Sequence, residues 1–148
     1  IGDGINMANS LIVGGIKTGM TVSVACPADH TPDKAVLAFA AASGRFSLTH
    51  DPKEAAQDAD AVFTDVWVSM GQEEEKLQRE RDFSGYLVDG ALMAHTKPGC
   101  IVQHCLPAHR GEEITAEVFE AHAAEIFDEA ENRLHAQKAV LVKLMAGL

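Results

Sequence analysis

Basic residues are scarce in this chain: 12 lysines and arginines stand against 22 aspartates and glutamates in 148 residues, a formal charge of −10. That balance argues against a nucleic-acid surface or an anionic membrane as partner, since each needs clustered Lys and Arg. Cysteine is sparse too. Cys26, Cys100 and Cys105 form an odd set without disulfide-like spacing, so no disulfide is expected and a reducing cytoplasm is the default location. No apolar run approaches the roughly 20 residues of a membrane helix, and none has the layout of a signal peptide. The sequence holds neither a CxxC pair nor an HExxH motif, and no repeat, low-complexity tract or linker divides it. With 47% apolar residues and a mean hydropathy of −0.02, the expectation is one soluble domain, residues 1–148, whose partners are small metabolites or proteins.

Short apolar runs alternate with helical stretches, which predicts an α/β fold: a three-layer, Rossmann-like parallel sheet flanked by helices. Residues 7–18 read as a helix in spite of Gly14 and Gly15, which would allow close packing on the sheet. Residues 21–25 follow as a strand. Thr31, Pro32 and Asp33 supply a helix start, and Ser43-Gly44 a stop. Residues 46–49 are the next strand, Asp51-Pro52 opens a helix to about residue 58, and residues 61–64 form a buried strand. The run 72–82 mixes acidic and basic residues as a solvated helix does. Residues 86–88 and 91–94 are too short to assign. Residues 100–103 read as a strand, 114–124 as a helix, 126–127 as a last strand. From Ala130 onward Leu134, Leu141, Leu144 and Leu148 share one helical face, widened by Val140 and Met145, and need something to pack against.

Four polar segments stand out. Ile1-Gly2-Asp3-Gly4 resembles the end of a strand turning into a helix, yet the strand that should precede it is absent, as in a piece of a longer chain. A dinucleotide fingerprint would want a small residue where Met7 stands; the remaining use of the turn is to bring Asn6 and a helix amino terminus near an anion such as a carboxylate. Asp65 and Ser69 follow a strand, where they either cap a helix starting near Gly71 or bind. His104, Cys105, His109 and Arg110 crowd a turn in which Pro107 forbids further pairing. That cluster has four readings: a metal site, a thiol nucleophile, a structural turn, or a favoured binding corner of side chains and freed carbonyls. Last, Glu129, Glu131 and Arg133 lie at the entry to the final helix.

In order, GDGINMANS (2–10), TDVWVSMGQE (64–73), HCLPAHRGEEI (104–114) and DEAENRLHAQKA (128–139) resemble the carboxyl-terminal, ornithine-binding half of the ornithine carbamoyltransferases. The likeness spans Gly2 to Leu148, and the SMG and HCLP segments together are specific. It implies a transferase half-site, with transfer of the carbamoyl group of carbamoyl phosphate to the δ-amine of L-ornithine giving L-citrulline and phosphate in arginine metabolism. It implies no metal and no organic cofactor.

By the same resemblance Asn6 holds the ornithine carboxylate with Met70 adding backbone contacts, while Asp65 and Ser69 receive the α-ammonium group. Cys105 and Leu106 border the reacting centre, and Arg133 reaches the carbamoyl oxygen, where negative charge develops as the amine attacks. Cys105, Arg133 and Asp65 are thus the candidate catalytic residues, with Cys105 positioning the amine and assisting proton transfer rather than attacking covalently. His104 supports the turn. Where the family often carries two adjacent asparagines, this chain has Ile5-Asn6, so only the second is available.

The family binds carbamoyl phosphate through an amino-terminal domain with STRT-type and HPxQ-type segments, and neither occurs here. The chain alone is therefore expected to be inactive or to bind ornithine weakly, and the family's homotrimer, or higher assembly, is not assured. Two alternatives remain: a transcarbamylase for putrescine or acetylornithine, which would change the pocket around Asp65 and Ser69, and a non-catalytic amino-acid-binding module.

Overall fold

The computed structural model describes residues 1–68 and 75–147; the expectations for Ser69, Met70, the helix start near Gly71, and Leu148 lie outside them. Four short strands, β1 (Val22–Ala25), β2 (Phe46–Thr49), β3 (Ala61–Thr64) and β4 (Ile101–His104), are interleaved with helices. All observed pairing is parallel: Val22 to Phe46 through Ala25 to Thr49, and Ala61 to Ile101 through Thr64 to His104. Parallel neighbours need crossovers, and the helices α1 (Asn6–Lys17), α2 (Lys34–Ser43), α3 (Pro52–Ala56), α4 (Lys76–Asp82), α5 (Gly90–Met93), α6 (Ala116–Ala121) and α7 (Ala123–Met145) supply or flank them.

The two strand pairs are joined by the first residues of the chain. The Gly2 N–H donates to the Ala25 carbonyl, 2.9 Å, and the Ile1 amino group to the Phe63 carbonyl, 2.9 Å. Thr64 Oγ1 adds a bond to the Ile1 carbonyl, 3.1 Å. Ile1 and Gly2 thus occupy the slot between β1 and β3 that a central strand would fill, giving the order β2, β1, residues 1–2, β3, β4.

Local chemistry explains most boundaries. Asp51 caps α3 by accepting from Lys53 N–H, with Pro52 at the first helical position. Thr115 caps α6 through Val118 N–H, and Gly44 ends α2 in the left-handed conformation, φ 65°. Gly15 packs as expected, since a Cβ there would stand 2.8 Å from Val22 Cγ2. Gly14 does not, because nothing lies within 4 Å of its Cβ position.

Three expectations need correction. Residues 126–127 are no strand: Ile126 is the buried anchor of α7, which begins seven residues earlier than Ala130. The apolar pair belongs to a helix, where Ile126 faces the core and Phe127 is exposed. Asp33, not Thr31, is the residue at the N-cap of α2, and its side chain makes no cap bond. The helix in the charged run is solvated except at Arg79, whose side chain is 3% exposed.

Ile12, Val24, Cys26 and Ala40 pack α1 and α2 on β1. A larger core of Val62, Val88, Val102, Ile114, Phe119 and Ile126 lies around β3 and β4. Trp67, Phe83 and Tyr86 pack with Ala25 and Ala55 between them. The effect is a rigid scaffold whose strands β1, β3 and β4 deliver their carboxyl ends to one edge, where ligands bind in open α/β sheets.

Candidate active site

Each of the three segments at that edge is held by a different device. The first is the turn before α1. Gly4 lies against the loop after β1: its N–H donates to the His30 carbonyl, 3.0 Å, and a Cβ there would stand 2.3 Å from that oxygen and 3.0 Å from Cys26 Sγ. Asp3 Oδ1 accepts from Ile5 N–H, 3.1 Å, and Asn6 is the exposed first residue of α1.

The second segment leaves β3. Asp65 accepts from Val66 N–H, 2.8 Å, and its carboxylate meets the third segment, where Cys105 Sγ donates to Asp65 Oδ1 at 3.1 Å. Sequence-distant residues predicted to share a site therefore touch. Burial first, and then the Asp65 carboxylate, push the Cys105 thiol up to about 12. A thiol so held keeps its proton at neutral pH, which argues against the nucleophile reading of the cluster. Burial likewise raises Cys26 to about 11.

His104 decides the shape of the third segment. Its ring is fully buried, and Nδ1 stands 3.0 Å from Leu106 N. A backbone N–H can only donate, so Nδ1 is an acceptor and Nε2 carries the proton, donating to Glu113 Oε1 at 3.0 Å. Both ring nitrogens are thereby used. Although His104, Cys105 and Asp65 lie within 4.8 Å of one another, this imidazole has no lone pair left for a metal. The Leu106 backbone takes the left-handed conformation, φ 55°, with Pro107 next in the chain.

Arg133 is exposed on α7, one helical turn beyond Glu129. Glu129 Oε2 is buried with no partner among the described residues. Burial raises its pKa, the His104 backbone N–H and ring oppose the rise, and the Asp65 charge adds to it. The structure thus brings Asp65, Cys105 and Leu106 together, sets Asn6 at the same sheet edge, and carries Arg133 on the helix that packs against β4. His109 Nδ1 lies 3.7 Å from Glu112 Oε2, and the Arg110 guanidinium pairs with Glu120 at 2.8 Å and covers the Phe119 ring at 4.1 Å.

Sequence reasoning passed over Glu113 and Arg79 as site residues and gave Glu129, named at the helix entry, no place in the site. Glu113 and Arg79 were hidden among charged neighbours, and only the adjacent acids of the GEE run, or a basic residue spaced four before Phe83, could have marked them. Arg79 NH2 pairs with Asp3 at 2.8 Å, both side chains buried, and its Nε bonds the Trp67 carbonyl. His30 Nε2 meets Asp82 at 3.1 Å alongside. The turn that carries Asn6 and the strand exit that carries Asp65 are tied through one guanidinium. For Glu129 the setting beside Asp65 is visible only in three dimensions.

Parallel strands that bring a carboxylate, a protonated thiol and a kinked turn to their carboxyl ends define an α/β ligand-binding domain. The sequence profile of the aspartate/ornithine carbamoyltransferase Asp/Orn-binding domain matches residues 1–144, and the chain belongs to that family. It is 51% identical over 147 residues to an ornithine carbamoyltransferase of Geobacter sulfurreducens, covering 98% of this chain and 48% of the relative. A Nitratiruptor protein of the same name is 54% identical over 149 residues, covering 97% of this chain and 48% of its own length. Among solved structures, the anabolic ornithine carbamoyltransferase of Campylobacter jejuni superposes with a TM-score of 0.93 at 39% identity, over 99% of this chain and 50% of that one. The Pyrococcus furiosus ornithine carbamoyltransferase gives 0.90 at 49% identity, over 99% and 49%. The chain spans about half the length of the relatives it matches.

Proposed function

We propose that this chain is the ornithine-facing half of a carbamoyltransferase that forms L-citrulline and phosphate from L-ornithine and carbamoyl phosphate. The observation that carries the reading is the 3.1 Å contact of Cys105 with Asp65. It supports the reading because it joins a carboxylate, suited to a substrate ammonium group, to the Cys105–Leu106 turn. Asp65, with Ser69, receives the α-ammonium; Asn6 and the Met70 backbone hold the α-carboxylate; and the Cys105 and Leu106 carbonyls accept from the carbamoyl amide.

The chemistry follows from these placements. The δ-ammonium gives one proton to solvent and the free amine attacks the carbamoyl carbon; a C–N bond forms, the C–O bond to phosphate breaks, and phosphate leaves with the bonding pair and takes up the second proton released by the attacking nitrogen. Arg133 stabilises the negative charge that develops on the carbamoyl oxygen. Cys105, protonated and weakly acidic, orients the amine without covalent attack, so that two solutes meet in a fixed geometry. The carbamoyl-phosphate-binding half is supplied by a separate domain, in a homotrimer or higher assembly.

Calorimetric titration of L-ornithine tests the reading, first into this chain and then into the protein that also carries the carbamoyl-phosphate-binding half, with carbamoyl phosphate present. Heat in the second case, lost in Asp65→Ala, supports it. Heat from putrescine or acetylornithine but not from ornithine would give the chain to another transcarbamylase. Binding without citrulline formation would leave an amino-acid-binding module.

A further inference from the structure

Glu113 is the most deeply buried acid among the described residues, fully inaccessible, and the proposed reaction gives it no part. Its Oε1 accepts two bonds, from His104 Nε2 at 3.0 Å and from the His109 backbone N–H at 2.6 Å, while Oε2 is buried with no partner among the described residues. A buried, half-satisfied carboxylate costs stability, because an unmet acceptor has given up its water without gaining a bond. An apolar side chain would avoid that cost. What the acid provides is a sequence of bonds that runs outward to the site. Oε1 fixes the proton on His104 Nε2, the bare Nδ1 then holds the Leu106 N–H at 3.0 Å, and the same Oε1 ties down His109 on the far side of Pro107.

We propose that Glu113 is a positioning residue for the carbamoyl-transfer turn: acting through His104, it sets the Cys105 and Leu106 carbonyls toward the reacting group. The inference rests on the reading that this turn borders the substrate. Glu113 touches no substrate. With the Leu106 N–H held by the imidazole and no N–H on Pro107, the Leu106-Pro107 step offers a ligand carbonyl oxygens and no free backbone donor, which suits an amide donor and disfavours an anionic ligand at that point. If the tautomer changes, Nδ1–H and the Leu106 N–H become two donors face to face, and the turn opens.

The test separates reach from charge. Glu113→Gln keeps an oxygen at the end of a side chain of the same length, so both bonds persist. Glu113→Asp keeps the charge but withdraws the oxygen by one methylene. In this chain, the coupling across the hydrogen bond between Leu106 N and 15N-labelled His104 Nδ1 is expected in the native sequence and in Glu113→Gln, and its loss is expected in Glu113→Asp. In the protein that also carries the carbamoyl-phosphate-binding half, Glu113→Asp is expected to lower kcat roughly 10- to 100-fold with a smaller change in KM for ornithine, the scale of an ångström-sized misplacement, while Glu113→Gln stays within a few-fold.

The reverse order, Gln worse than Asp, would mean that charge alone matters and would overturn the proposal. An Nδ1–H tautomer in the native chain, or a lost coupling in Glu113→Gln, would do the same, even if Glu113→Asp does not fold. If the native protein makes no citrulline, the ornithine reading fails while the coupling experiment still decides the relay.

Discussion

At Cys105 the folded state keeps a proton that the unfolded chain gives up. The thiol rises to about 12 from an ordinary value of 9.0, through burial first and the Asp65 carboxylate second. Between pH 9 and 12 the native state therefore holds more protons than the unfolded one, and stability falls as pH rises through that window. Urea midpoints at pH 8 and pH 10 should accordingly drop more for the native sequence than for Cys105→Ala. Reactivity follows the same logic. Alkylation by iodoacetamide at pH 8 should be slow, and Asp65→Asn, which removes the charged acceptor, should speed it by increasing the thiolate fraction. An unchanged rate in Asp65→Asn would deny the contact. Gly4 offers a steric counterpart: a Cβ 2.3 Å from the His30 carbonyl oxygen must displace backbone, so Gly4→Ala should cost about 1–3 kcal/mol in urea unfolding. Of the residues at the site, Asp65 and Cys105 were legible from their place after apolar strands. Glu113 was not, because its burial depends on β4 and on the turn folding back, which no local pattern encodes.

Among the elements, α4 and α7 bear the consequences. The α4 run has the alternating charge of a solvated surface, and most of it is that. Arg79 turns inward because two acceptors await it, the Asp3 carboxylate and the Trp67 carbonyl, and neither is near it in sequence. Removing one partner of so buried a pair leaves an uncompensated charge. Arg79→Met should lower stability by about 3–5 kcal/mol, measured by denaturant unfolding, whereas Arg81→Met on the exposed part of α4 should change it little. Helix α7 was legible in its second half, where Leu134, Leu141 and Leu144 recur at helical spacing. Its start was not, since Ile126-Phe127 carries the β-branched and aromatic character of a strand, and the packing of Ile126 against the β3–β4 core overrides it. Beyond Ala130 every described residue of α7 is exposed, with Leu134 at 58% and Leu144 at 74%. An apolar stripe left in water associates. Light scattering on this chain should show a mass rising with concentration above 15.8 kDa, and Leu141→Lys combined with Leu144→Lys should return it to that value.

In the molecule as a whole, strand order was the least legible feature. Alternating apolar runs gave the parallel α/β class, since buried parallel strands read as short continuous runs, and β1 to β4 each start within one residue of the expected position. Which strands adjoin is set by long-range contacts, here by Ile1 and Gly2 bonding to Ala25 on one side and Phe63 on the other. The sheet so joined aligns the ends of β1, β3 and β4, and through them the Asn6 turn, Asp65 and the Cys105–Leu106 turn. The most direct test is an assay of the protein carrying both this chain and a carbamoyl-phosphate-binding half, with L-ornithine, putrescine and acetylornithine offered in turn. Citrulline formation with ornithine as the preferred amine, reduced at least about 100-fold in Asp65→Ala as expected when a charged orienting group is lost, is the predicted result; turnover of another amine in its place, or full activity in Asp65→Ala, would contradict it.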